Sequence, residues 1–355
     1  MIIDRFSPWW RETPKENRLI RPSLRLLSAA ALVSFVFPLY QASAQTQVPP
    51  APANTPPTPS APAAEPSAPA PAAAPTFPKP DPADFTAASP TKEVIDTFLQ
   101  AIWGYDDNRM WQVQGILKTP VDGMSKVVIL VADKSGKDKP GAFAFFVAPG
   151  GKYLISGDEV TPFGEHPFAE NRAILQERAD GPYRGTADKK LELVEFADFQ
   201  CPHCKEAQAN MDKLATDFPN ARIVYQNFPL PQHSAAASAA AYGVCVAKLG
   251  GSTAFYTFTA AVYDGQDGLA TPDGATLTLN SAVTKAGLDP VKIEPCAKDP
   301  ATLKNVDASV HLAKDLHINQ TPTLDVNGRA VPANAPYDLL KKIIEYQEKL
   351  DGITQ

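Results

Sequence analysis

The stretch from Val194 to Gln208, "VEFADFQCPHCKEAQ", decides the reading of this chain. Cys201 and Cys204 stand three positions apart where an apolar run gives way to a helical pattern. Cys201 falls at the strand-to-helix junction, where unpaired backbone N–H groups and the positive end of the helix dipole favour a thiolate. Pro202 suits the first helical turn, because an N–H there would go unused. His203 can add a hydrogen bond or positive charge to the Cys201 sulfur. Cys204, Ala207, Met211 and Leu214 follow helical spacing, so Cys204 is expected to face inward while Cys201 stays reachable. An exposed attacker of low pKa beside a sheltered resolver is what thiol–disulfide exchange requires. A metal clip and a purely structural disulfide are the other readings of the pair. Zinc would need a second ligand pair at suitable spacing, and Cys245 and Cys296 stand isolated in helical sequence.

Around this stretch the order is strand (Leu191–Phe196), helix (from Cys201), strand (Ala221–Tyr225), then a long helical stretch. The return is "TPTLDVNGRAV" (Thr321–Val331), with Leu324 and Val326 alternating against Thr323 and Asp325. Asn327-Gly328 signals a type I′ hairpin. A closing helix, "PYDLLKKIIEYQEKL", carries Leu339, Leu340, Ile343 and Ile344 on one face. The sum is β-α-β, a helical insertion, then β-β-α.

On the N-terminal side, "HPFAENRAILQERA" (His166–Ala179) reads as a connecting helix and "DGPYRG" as a break. Before it, Ser89-Pro90 offers an N-cap and a first-turn proline for a helix bearing Val94, Ile95, Phe98, Leu99 and Ile102. Runs at Lys126–Ala132, Ala142–Ala148 and Lys152–Asp158, separated by turn-formers, predict an antiparallel meander. This small α+β module has no Cys and no clustered His, so its default role is packing or association. His166, His233, His311 and His317 lack partners at ligand or triad spacing and read as surface or capping residues.

Residues 45–88 are rich in Pro and Ala and have little to bury, which predicts an extended tether. The first 25 residues carry six basic and three acidic side chains, followed by the apolar run Leu26–Tyr40 and Ala42-Ser43-Ala44. That pattern is a secretory signal peptide, 1–44, cleaved after Ala44. Its removal would take the net charge from −6 to −9. An acidic chain without a basic run argues against nucleic acid or an anionic membrane surface as partner. Export also implies an oxidising compartment, where four cysteines can form two disulfides.

The order of elements, with C-x-x-C opening the first helix, resembles the thioredoxin fold. "VEFADFQCPHC" with "QTPTLDVNGR" about 120 residues later is similar to the exported DsbA-like thiol–disulfide oxidoreductases, as is "YQNFPLPQHSAAASAAAYGVC". The expected fold class is therefore α/β thioredoxin-like with a helical insertion, preceded by a small α+β domain. The expected domains are the α+β unit at 89–165, a linker helix at 166–185 and the redox domain at 186–351, with its insertion at about 229–318.

The resemblance implies further roles. Glu195 matches a buried acid that relays the proton of Cys204. Pro322 matches a cis-proline facing the redox pair, with Thr321 offering backbone hydrogen bonds to a substrate. Cys245 and Cys296 match a structural disulfide. Clients would be exported Cys-containing proteins, with a redox partner protein to pass electrons on, and neither metal nor organic cofactor is implied. "FVAPGGKYLISGDEV" (Phe146–Val160) is similar to the end of the dimerisation domain of DsbC- and DsbG-like isomerases, which implies a homodimer through the N-terminal domain. The rival from another class is a non-catalytic binding module on the same fold.

Overall fold

The computed structural model describes residues 75–136 and 139–353. The expected signal peptide and the tether as far as residue 74 lie outside the described residues. The end of the expected tether is packed on the folded unit. Thr86 and Ala87 donate backbone N–H groups to the Ile116 carbonyl, and Phe85 and Ala87 pack on the N-terminal core. The boundary at 88 was therefore too late: Phe85 supplies an apolar anchor within an otherwise Pro/Ala-rich run.

Helix α1 (Lys92–Trp103) is capped by Thr91, whose hydroxyl accepts the Val94 N–H. The cap lies two residues beyond the expected Ser89, because the Thr91 side chain is the one that reaches the third amide of the helix. Ile95, Phe98, Leu99, Ile102 and Trp103 are buried against an antiparallel meander. Its strands are β1 (Arg109–Lys118), β2 (Ser125–Asp133), β3 (Gly141–Val147), β4 (Tyr153–Ser156) and β5 (Glu159–Pro162), paired in that order. The sequence reading missed β1, whose alternation is interrupted by a bulge between Val113 and Gly115. Its run Lys152–Asp158 holds β4 and the turn after it and stops short of β5. Gly157, at φ +63°, turns the chain back as a hairpin.

Helix α2 (Ala169–Arg178) follows, then β6 (Tyr183–Gly185), β7 (Glu192–Ala197), α3 (Pro202–Asp217) and β8 (Arg222–Asn227). The insertion holds α4 (Ala236–Asp264), broken at Gly251, then α5 (Pro272–Lys285), α6 (Pro290–Ala297) and α7 (Pro300–Asp315). Strands β9 (Thr323–Val326) and β10 (Arg329–Pro332) and helix α8 (Tyr337–Leu350) close the domain. The sheet order is β10-β9-β7-β8-β6, with β7 and β8 parallel and the other pairs antiparallel. This is a thioredoxin-like fold with a helical insertion. The expected break "DGPYRG" supplies an edge strand, so the sheet begins before residue 186.

One face of the sheet meets α3 and α8 through Leu193, Ile223, Leu324, Met211, Leu214, Leu340, Ile343 and Ile344. The other meets α2 and α7 through Val194, Phe196, Val224, Leu175, Leu312 and Ala313. Cover on both faces buries all of Thr323–Val326, so the expected alternation along β9 does not appear as alternating exposure. On α8, Leu339 is exposed while Gln347 is buried, turning the apolar face slightly from the expected one. Asn327 and Gly328 both have positive φ and join β9 to β10 as a tight hairpin.

Arg329 fastens the two domains together. Its fully buried guanidinium donates to the carbonyls of Ile102 (2.9 Å) and Ala101 (2.5 Å) and to Gln347 Oε1 (3.1 Å), and lies over the Phe168 ring. The last carbonyls of a helix have no partner within it, so a cation there both caps α1 and offsets its dipole.

Candidate active site

Cys201 is the residue before α3, in extended conformation, and Pro202 is the first residue of the helix. A turn closed by Cys201 N–H to the Asp198 carbonyl, at 3.1 Å, brings β7 into the helix. Both cysteines are free thiols. Cys204 is fully buried, whereas Cys201 keeps 5 % of its surface accessible. The attacker expected to be exposed is thus recessed, because the loop before Pro322 and the helical insertion close around it. In its thiol form its Sγ donates to the Thr321 carbonyl at 3.7 Å, and the Thr321-Pro322 peptide is cis. The structure therefore brings Cys201, Cys204, Thr321 and Pro322 together across 120 residues of sequence.

The two sulfurs are driven apart in acidity. Cys201 is lowered to about 5, first by the hydrogen bond from the Cys204 thiol, then by the Thr321 hydroxyl and the backbone N–H groups of Cys204 and His203, against the opposing effect of burial. Cys204 is pushed far up, first by burial and then by its bond to Cys201. At neutral pH Cys201 is a thiolate and Cys204 a thiol.

Of the two parts expected of the His203 ring, the hydrogen bond to the sulfur goes to Glu206 instead, and a charge interaction with Cys201 remains. The imidazole points to solvent, 62 % exposed, and its Nδ1 pairs with Glu206 Oε2 at 2.9 Å. That bond and the Glu206 charge hold the imidazole above its ordinary pKa. What His203 brings to the Cys201 sulfur is its backbone N–H together with a distant charge.

Glu195 lies in β7 between Tyr225 and Leu324 of the neighbouring strands and is 3 % exposed. Its Oε1 accepts from Gln208 Nε2 at 2.9 Å. Burial pushes it up to about 7, with Arg184 and Gln208 pulling the other way. It can hold or release a proton near neutral pH. Cys245 of α4 and Cys296 of α6 form a disulfide, S–S 2.02 Å, away from the redox pair. Among the described residues no group of three or more His, Cys, Asp or Glu side chains could hold a metal ion.

Three residues escaped the sequence reading. Asp198 is fully buried in its side chain and bonded to His233 Nδ1 at 2.7 Å. His233, read as a surface or capping residue, is instead the partner of a buried carboxylate. Gln266 donates through Nε2 to the carbonyls of Phe199 and Cys201, both at 2.9 Å. A carboxylate three positions before a C-x-x-C, set between Phe196 and Phe199, was the available signal, since a buried charge must have a partner.

Residues 177–346 match a family model described as Thioredoxin. Among curated proteins, a probable disulfide bond formation protein D of Bacillus cereus is 27 % identical over 175 residues, covering 46 % of this chain and 77 % of that protein. The Na(+)/H(+) antiporter NhaA 1 of Mycolicibacterium vanbaalenii is 30 % identical over 158 residues, 44 % of this chain. The chain spans about a quarter of the length of that antiporter, 24 %. Among the described residues no helix is long and apolar enough to cross a membrane. Among solved structures, a thioredoxin-like oxidoreductase from Silicibacter pomeroyi is similar at 25 % identity and a TM-score of 0.43, covering 50 % of this chain and 98 % of that one.

Proposed function

We propose that this chain, whose residues 177–346 are a thioredoxin-like domain, is an exported thiol–disulfide oxidoreductase that forms or isomerises disulfides in exported Cys-containing proteins. The observation that carries the reading is one helical turn holding two free thiols, Cys201 at the helix start against the cis Thr321-Pro322 peptide and Cys204 fully buried, with Cys201 lowered to about 5 and Cys204 pushed far up. A structural pair needs no such asymmetry, whereas exchange depends on it. Similarity to a protein named for disulfide bond formation points the same way.

In the oxidising direction a client thiolate attacks Cys201 Sγ, the more accessible sulfur, and the Cys201–Cys204 bond breaks. Cys204 leaves with the electron pair and takes up a proton, for which Glu195, raised to about 7 and linked to the Cys204 carbonyl through Gln208 Nε2, is the source. A second client thiolate then attacks the client sulfur and releases Cys201. That departing sulfur needs no proton at neutral pH, and a thiol of low pKa leaves faster. The client gains one disulfide, and the enzyme is left with two reduced cysteines for a redox partner protein to reoxidise. In the isomerising direction, reduced Cys201 attacks a wrong disulfide and Cys204 releases the trapped client.

Catalysed reduction of insulin by dithiothreitol tests the reading. Turnover that disappears in Cys201→Ser is expected, and absence of turnover in the unmodified protein would favour the binding-module reading. The proposal includes a homodimer through the N-terminal domain. Strand β5 is the open edge of that sheet, with Val160 56 % exposed, while Phe85–Ala87 run along β1. Light scattering should give twice the chain mass, reduced to one by Val160→Lys. A monomer at all concentrations would remove the dimer.

A further inference from the structure

The helical insertion grips the loop that precedes Cys201. Asp198 Oδ2 accepts from His233 Nδ1 at 2.7 Å and from the Leu230 N–H at 2.8 Å, and its Oδ1 accepts from the Gln200 N–H at 2.7 Å. Gln200 is tied to the same region, accepting from the Ala235 N–H at 2.7 Å and donating to the Leu269 carbonyl at 3.2 Å. The backbone N–H of Asp198 itself points at Cys204 Sγ, 3.4 Å away. A carboxylate with three donors cannot rotate without breaking several charge-assisted bonds, so the amide beside it is fixed as well.

We propose that Asp198 and His233 are a positioning pair for the resolving cysteine: His233 holds the Asp198 carboxylate, and the carboxylate holds the Asp198 amide against Cys204 Sγ. The inference rests on the exchange reading above, because the pair acts when Cys204 becomes the attacking sulfur. In that step Cys204 gives its proton to Glu195, raised to about 7, and attacks Cys201 Sγ of a mixed disulfide. The bond from Cys201 to the bound thiol breaks, and the bound thiol leaves with the electron pair and is protonated. Negative charge collects on Cys204 Sγ as it loses its proton, and an N–H aimed at that atom stabilises it. The same N–H favours the thiolate form of a sulfur that burial otherwise keeps protonated. His233 is 21 % exposed in its side chain and Asp198 is fully buried in its own, so the pair reaches from the interior to the surface.

The test follows the full chain reacting with oxidised glutathione, quenched in acid and read by mass, so that attack by Cys201 and resolution by Cys204 are timed separately. A lost hydrogen bond to a charged group corresponds to slowing of about tenfold or more. Asp198→Ala and His233→Ala are each expected to slow resolution by about that factor, with a smaller change in attack. His233→Asn, which keeps a donor near the Nδ1 position, should recover part of the loss. The double alanine variant should be no slower than Asp198→Ala alone, as coupled residues behave. Additive losses, or resolution at the unmodified rate in both alanine variants, would overturn the pairing. Where Asp198→Ala does not fold, the contrast between His233→Ala and His233→Asn decides. If the unmodified protein never forms the mixed disulfide, the exchange reading falls and the pair's role falls with it. If it resolves normally and the variants match it, only the pair's role falls.

Discussion

The Cys201 thiol lies 3.7 Å from the main-chain carbonyl of Thr321, a residue 120 positions further along the chain. This places a sulfur that favours the thiolate against the backbone of the Pro322 loop. The Thr321 hydroxyl favours the thiolate too, after the Cys204 thiol. Thiolate absorbance of the reduced protein should titrate with a midpoint near 5, far below the ordinary thiol range of about 8.5. Thr321→Val should move the midpoint upward, and Cys204→Ala should move it further. A midpoint at or above 8 in the unmodified protein would contradict the electrostatics described here.

The pKa separation also sets how redox behaviour follows pH. Below about pH 5 reduction takes up two protons, and above it only one, since Cys201 then stays ionised. The midpoint potential should fall by about 59 mV per pH unit below the break and about 30 mV above it, for a two-electron couple. Stability follows the same sign. Cys201 has a depressed folded pKa, so its contribution to the reduced protein is present above the unfolded value of about 9 and lost as pH falls through about 5. Glu195 and Asp325, both raised to about 7 in the reduced protein, act in reverse. Their contribution is complete below about pH 4 and is lost as pH rises through 7. Denaturant midpoints of the reduced protein, compared with the oxidised one, should therefore rise between pH 5 and pH 9. A flat difference would remove the low Cys201 pKa.

The Cys245–Cys296 disulfide should outlast the redox pair under mild reductant. Cys245 is fully buried between α4 and α6, so a reducing thiolate cannot reach it without local opening. For a separation of 51 residues the chain-entropy argument gives on the order of 4 kcal/mol of stabilisation. Mass mapping after mild reduction and alkylation should find label on Cys201 and Cys204 alone, and loss of the bridge should lower the denaturation midpoint.

Arg329→Met should destabilise the whole described chain, by on the order of 3 kcal/mol. The substitution keeps an apolar stem but leaves the carbonyls of Ala101 and Ile102 without their donor. Denaturation curves should shift, and limited proteolysis should open the segment between α1 and β1 first. A variant with unchanged stability and unchanged cleavage would mean that the N-terminal domain is held by its apolar contacts instead.

The parts of this molecule that were legible in the sequence are those written locally. Cys201-Pro202-His203-Cys204 states its chemistry within one helical turn, and Asn327-Gly328 states its hairpin in two residues. Pro322 and Glu195 could be named only through resemblance to a family, since neither a turn proline nor a strand carboxylate marks itself. What escaped was non-local. Asp198 meets His233 across 35 residues, and Arg329 reaches Ile102 across 227, distances over which spacing carries no signal. Strand β6 is three residues long and reads as a turn because Gly185, at φ +85°, ends it. The direction of the His203 ring was set by Glu206, one turn along the helix, a neighbour that competed with the sulfur for the same imidazole.

The central claim is that Cys201 is the sulfur that joins to a client and Cys204 the one that releases it. The most direct measurement is trapping. Cys204→Ser and Cys201→Ser proteins are each incubated with a disulfide-bonded peptide, quenched in acid and mapped by mass. Cys204→Ser should accumulate a mixed disulfide on Cys201, and Cys201→Ser should accumulate none. An adduct on Cys204 in the Cys201→Ser protein, with none on Cys201 in the other, would reverse the two roles and contradict this account.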